Sequence, residues 1–85
     1  MLVPGGLFSM FDLRLRHAEH IRHYSIRSSD AWGWEVRLEE DDRIRRNDHY
    51  QDWHRVERAM ALFEREVQDL TENGWQVTPS IDSQN

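Results

Sequence analysis

"WGWEVRLEE", residues 32–40, sets Trp32, Trp34, Val36 and Leu38 at every second position, with Gly33, Glu35, Arg37 and Glu39 between them. Alternation of period two is what a strand shows when one face is buried and the other is wet. A helix would need apolar residues every three or four positions. The stretch therefore predicts a half-buried strand, and its neighbours follow as partners. In "HYSIR", residues 23–27, Tyr24 and Ile26 alternate with His23, Ser25 and Arg27, and "SSDA", residues 28–31, supplies turn residues. A hairpin opposing Ile26 to Trp34 and Tyr24 to Val36 keeps every apolar side chain on one side, whereas a one-residue slip would turn them all outward. Downstream, "EDDR", residues 40–43, turns the chain again. Ile44 faces Leu38 only across a loop with an odd number of residues, which predicts a three-residue loop with Asp42 near the left-handed region. Phe11, Leu13 and Leu15 alternate with Asp12, Arg14 and Arg16, predicting a further strand over 11–16. "HAEHIRH", residues 17–23, reads as a connector or a single helical turn.

Beyond this region the period changes. Trp53, Val56, Met60, Phe63, Val67 and Leu70 recur every three or four residues, one apolar stripe on a helix of about 52–73. Its start has two candidates, Asp48 with Gln51 as a capping box, or Asp52 as a simple cap. Gly74 ends it, with Trp75 placed to fold back on the last turn. The resulting fold class is α+β, in two layers. A three-stranded, possibly four-stranded, antiparallel meander (about 23–28, 32–39 and 43–48, with 11–16 as the extra strand) carries one long C-terminal helix on one sheet face. The expected organisation is a flexible extension over 1–10, a single domain over 11–76, and a flexible tail over 77–85.

Eighty-five residues provide one core. Burial in so small a domain supplies only about 3–5 kcal/mol unless a staple or a partner adds to it. With no cysteine, disulfides and thiolate metal sites are excluded. Four tryptophans, three phenylalanines and two tyrosines must supply the packing instead. The net charge of -5 argues against a general nucleic-acid binder, whose affinity rests on cations that displace counterions. All eleven cations are arginine, which we read as a GC-rich, bacterial coding bias before guanidinium recognition. No run approaches the roughly 18 apolar residues of a membrane helix, and the start lacks a basic-then-apolar signal, so a cytoplasmic location is expected.

Histidine is the most conspicuous chemical residue. His17, His20 and His23 stand three apart, but three ligands at that spacing do not converge on one face, and the pattern is not the His-Glu-x-x-His of zinc peptidases. His49 and Asp52 could form an oriented imidazole at a strand–helix junction, yet neither serine nor threonine sits in that segment as a nucleophile. We therefore expect no catalytic residues, no metal and no cofactor. The candidate binding residues are His23, Arg27, Arg37, Arg45 and His49 on the outward sheet face, Trp32 beside them, and Leu62. The last is the exposed leucine of a second helical stripe, Arg55, Arg58, Leu62, Arg65 and Asp69. Single-stranded nucleic acid held by Arg27, Arg37 and Arg45 with Trp32 as a stacking ring is the alternative to a protein partner.

Over roughly residues 23–73, "HYSIRSSDAWGWEVRLEEDD" and the helix after it resemble, in element order and polarity, the HicB-type antitoxin domain and the coactivator-type single-stranded-DNA-binding domain, which dimerises through its helix. The resemblance implies a regulatory or nucleic-acid-binding dimer. It transfers no residues, because "RIRRNDHYQDW" lacks the proline and glycine of the antitoxin's link and the chain lacks the lysines of the DNA-binding surface. The leading expectation is a small, non-catalytic macromolecular-interaction domain that acts through a protein partner or a homodimer.

Overall fold

The computed structural model describes residues 9–29 and 33–78. Strands β1 (Ser9–His17), β2 (His20–Ser29), β3 (Gly33–Glu40) and β4 (Arg43–Tyr50) are followed by helix α1 (Trp53–Glu72) and strand β5 (Gln76–Thr78). The sheet order is β4-β3-β2-β1-β5, with neighbouring strands antiparallel. Four strands form a meander, α1 covers one face, and β5 returns against β1 at the far edge. The α+β, two-layer class is as expected. Among the described residues, no helix is long and apolar enough to cross a membrane.

The register differs from the expected one in two places. Ile26 pairs with Val36, Tyr24 with Leu38 and Ser28 with Trp34, a shift of two residues from the hairpin anticipated. Because side chains repeat with period two, this even shift leaves Tyr24, Ile26, Trp34, Val36 and Leu38 on one face. The second difference is at the next turn. Two residues, Asp41 and Asp42, close it instead of three, and both take positive φ (51° and 69°), the requirement of a type I′ hairpin. The Asp41 side chain stabilises the turn, accepting from Ile21 N at 2.9 Å and meeting His20 Nδ1 at 2.8 Å. The odd residue is taken up as a bulge instead. Leu38 pairs with Arg46 and Glu39 with Ile44, leaving Arg45 unopposed. Ile44 consequently turns onto the face away from α1, where it is 51% exposed.

"HAEHIRH" is neither a connector nor a helical turn but the tight end of a hairpin. His17 pairs with His20, and Ala18 adopts φ 56° between them.

The core lies between α1 and the sheet, where Leu15, Tyr24, Ile26, Val36, Val56, Ala59 and Phe63 are buried. The Phe63 ring meets Tyr24 edge-on at 4.7 Å and Phe11 at 5.8 Å. The buried Tyr24 hydroxyl donates to Glu66 Oε1 (3.0 Å) and accepts from Arg22 (3.1 Å). Burial, joined by the Glu66 bond, raises its pKa against the opposing effect of Arg22. Trp53, expected in the core stripe, is 40% exposed and leans on Trp34 with centroids 5.2 Å apart.

Asp52 is the N-cap, its Oδ1 accepting from His54 N at 3.0 Å. At the other end Gly74 takes φ 100°, Gly74 N donates to Thr71 O and Trp75 N to Leu70 O, the two bonds of a Schellman motif. This reversal delivers Trp75 to the sheet, where it stacks on His17 and lies under the Arg22 guanidinium. Val77 then pairs with Leu15, so part of the expected tail is a strand.

Candidate interaction surfaces

Two surfaces carry the polar chemistry. The first is the sheet face away from α1, and register places His23, Arg27, Arg37 and His49 on it, as expected, along with Asp12, Arg14, Glu35 and Glu39. Much of its charge is neutralised internally. His23 Nε2 lies 2.7 Å from Asp12 Oδ1 and its Nδ1 3.7 Å from Glu39 Oε1, while Arg37 reaches Glu39 Oε2 at 3.3 Å. A carboxylate thus stands beside each ring nitrogen of His23. Arg27 makes no ion pair among the described residues, and its Nε, like that of Arg37, is covered without a hydrogen-bond partner. Near the edge, His49 Nε2 reaches Ser29 Oγ at 3.1 Å by crossing Gly33, where no side chain stands in its way.

Two expectations for this face change. Arg45 leaves it, because the bulge turns the side chain toward Glu40, 3.9 Å away. Trp32 lies outside the described residues. Among those described, the face bears no phenylalanine, tyrosine or tryptophan, and its only rings are the imidazoles of His23 and His49.

At one end of this face a hollow of about 430 Å³ is bounded by Arg14, Glu19, Ile21, His23, Glu39, Asp41 and Asp42. It is acidic, yet no three His, Asp or Glu side chains among the described residues are placed to hold a metal ion. The three histidines of "HAEHIRH" disperse: His17 to Trp75, His20 to Asp41, His23 to Asp12. Asp41, chiefly by its hydrogen bond, raises the His20 pKa above 6.5, and the same bond lowers that of Asp41 below 3.8. The pair's contribution to stability is therefore complete below the unfolded-state value of His20 and is lost as pH rises through its raised value. On the acid side it is lost as pH falls through the depressed value of Asp41. NMR titration should find His20 above 6.5 and returned toward it in Asp41→Asn, whereas an unchanged midpoint in that variant would refute the pairing.

The second surface is a groove of about 360 Å³ between α1 and β4, lined by Arg46, Tyr50, Arg55, Arg58, Ala59 and Leu62. It exists because residues 46, 48 and 50 alternate onto the helix side of β4, beyond the end of the apolar core. Arg46 is anchored there, its Nε donating to Asp48 Oδ2 at 2.6 Å and its Nη2 to the Tyr50 hydroxyl at 3.3 Å, with its guanidinium over Phe63. Arg55 lies over the Tyr50 ring at 6.0 Å. Neither Arg55 nor Arg58 has a carboxylate within ion-pair distance among the described residues. Leu62 is 41% exposed at the groove's edge, as expected from the sequence. Arg46 and Tyr50 were not among the expected binding residues, although their even spacing with Asp48 on β4 was a signal for them.

Asp52 and His49 are separated in role, the first capping α1 and the second bonding Ser29. Neither fold nor surfaces lead to a known group, since no protein-family model, curated protein or solved structure matches this chain.

Proposed function

We propose that this chain is a small, non-catalytic interaction domain that binds another protein, or a second copy of itself, through the flank formed by α1 and β4. The observation that carries this reading is the concentration of Arg46, Arg55, Arg58, Tyr50 and the exposed Leu62 around one groove. Tyrosine and arginine are the residues that protein interfaces enrich and in which their binding energy concentrates. Arg55 and Arg58, three apart on a helix, repel each other at a cost of about 0.2–0.5 kcal/mol. No acid among the described residues compensates them, which favours a partner that supplies the counter-charge. Single-stranded nucleic acid on the sheet face is the second reading. Arg27 without an ion pair among the described residues favours it, but among those residues the face offers no phenylalanine, tyrosine or tryptophan for stacking. The absence of cysteine and of lysine fits a cytoplasmic, bacterial setting.

A photo-crosslinking residue at position 62 tests the proposal in the cell of origin. It should give a discrete adduct that weakens when Arg55 and Arg58 are both changed to Glu. The same probe at Glu64, which helical spacing places on the other flank of α1, should not give it. A product of twice 10.3 kDa identifies a second copy, and any other mass identifies a different protein. Equal labelling at both positions, or none at 62, would reject this surface.

A further inference from the structure

We infer that the groove between α1 and β4 takes an acidic segment of a partner protein, with one apolar side chain of that segment seated against Ala59 and Leu62. The inference rests on the interaction reading above and specifies its ligand.

The anchored and the free arginines have different roles. Arg46 is already engaged by Asp48 and the Tyr50 hydroxyl, so it shapes the wall. Arg55 and Arg58 retain their donors and stand one helical turn apart, with Cβ atoms about 5–6 Å from each other, a spacing that two carboxylates of one peptide can match. A guanidinium binds a carboxylate through two parallel hydrogen bonds, so each free fork selects an acid by geometry as well as by charge. Ala59 and Leu62 lie between the arginine pair and the next turn and supply the apolar contact.

Other occupants fit less well. A nucleic-acid strand needs a continuing track of cations and rings, whereas this groove offers two free guanidinium groups and one tyrosine, already under Arg55. A second copy would have to supply free acids. The chain's densest acidic run, Glu39–Asp42, has Glu39, Glu40 and Asp41 occupied by internal pairs, and Asp69 and Glu72, which make no ion pair among the described residues, are held on the rigid helix α1 rather than on a segment able to enter a groove. A separate partner with uncommitted carboxylates on an extended segment fits best, and a crosslinked product of twice 10.3 kDa would overturn this in favour of a second copy.

The test is fluorescence anisotropy with short labelled peptides against the full chain. The probes are a peptide of glutamates flanking a central leucine, the same peptide with lysine for glutamate, and an oligothymidylate, with inorganic phosphate as competitor. We expect the glutamate–leucine peptide to bind, its amide shift changes to centre on residues 50, 55, 58 and 62, and Arg55→Glu with Arg58→Glu to weaken it roughly ten-fold or more. Arg55→Lys with Arg58→Lys should retain part of the binding, and circular dichroism should show all variants folded. Loss of the inference follows if the peptide does not bind, if the charge reversals leave it unaffected, or if phosphate or the oligonucleotide displaces it from the same residues. Crosslinking at position 62 without peptide binding removes the acidic-segment assignment and leaves the interaction reading in place. Absence of both removes the two together.

Discussion

Phe63→Ala is expected to leave the chain without a cooperative unfolding transition at room temperature. Phe63 is 1% exposed, and its ring joins α1 to the sheet through Tyr24 and Phe11, with the Arg46 guanidinium on its remaining face. Truncating a buried phenylalanine costs about 3–5 kcal/mol, the lost transfer energy plus the cavity left behind. A domain this small has a total of about the same size. A urea titration followed by circular dichroism decides the matter. A cooperative transition with a loss below about 1 kcal/mol would mean that the helix–sheet contact is not what holds the fold.

Gly33→Ala should have the next largest effect on stability, about 1–3 kcal/mol, the usual cost of forcing atoms into filled space. A Cβ at Gly33 would stand 2.7 Å from the backbone carbonyl oxygen of Tyr50 and 3.1 Å from His49 Cε1. The imidazole can swing aside, but the carbonyl belongs to β4 and moves only with the strand. Hydrogen exchange should therefore show β4 amides losing protection before those of β1 and β2. Tyr50 would shift with them, so the α1–β4 groove should lose peptide affinity as well. Uniform protection across the four meander strands would show that the close approach is absorbed without displacing β4.

The roles of Phe63 and Gly33 are legible in the sequence to different degrees. The alternation in "WGWEVRLEE" and the three-and-four spacing from Trp53 to Leu70 identified the elements that meet at Phe63, because each depends only on neighbours along one chain segment. Gly33 could be assigned a sheet face but not a task, since the Tyr50 carbonyl that crowds it lies seventeen residues away. Leu62 was legible as an exposed residue for the same reason that Phe63 was legible as a buried one: both follow from rotation about the helix axis. Arg45 was misplaced because its facing depended on where one extra residue would be absorbed. A loop of three and a turn of two with a bulge satisfy the same count, and the left-handed conformations of Asp41 and Asp42 selected the second.

By itself the sequence determined the meander strands and the long helix, their polarity, the two-layer arrangement and the absence of any thiol chemistry, all consequences of local periodicity and composition. Tertiary structure alone decided the two-residue register shift, the return of Val77 onto β1, and the meeting of Arg46 and Tyr50 with Arg55, Arg58 and Leu62. The physical reason is that an even shift leaves every side chain on its own face, so hydrophobic pattern constrains parity but not position. A groove between a strand and a helix, in turn, exists only once both have been packed against a common core.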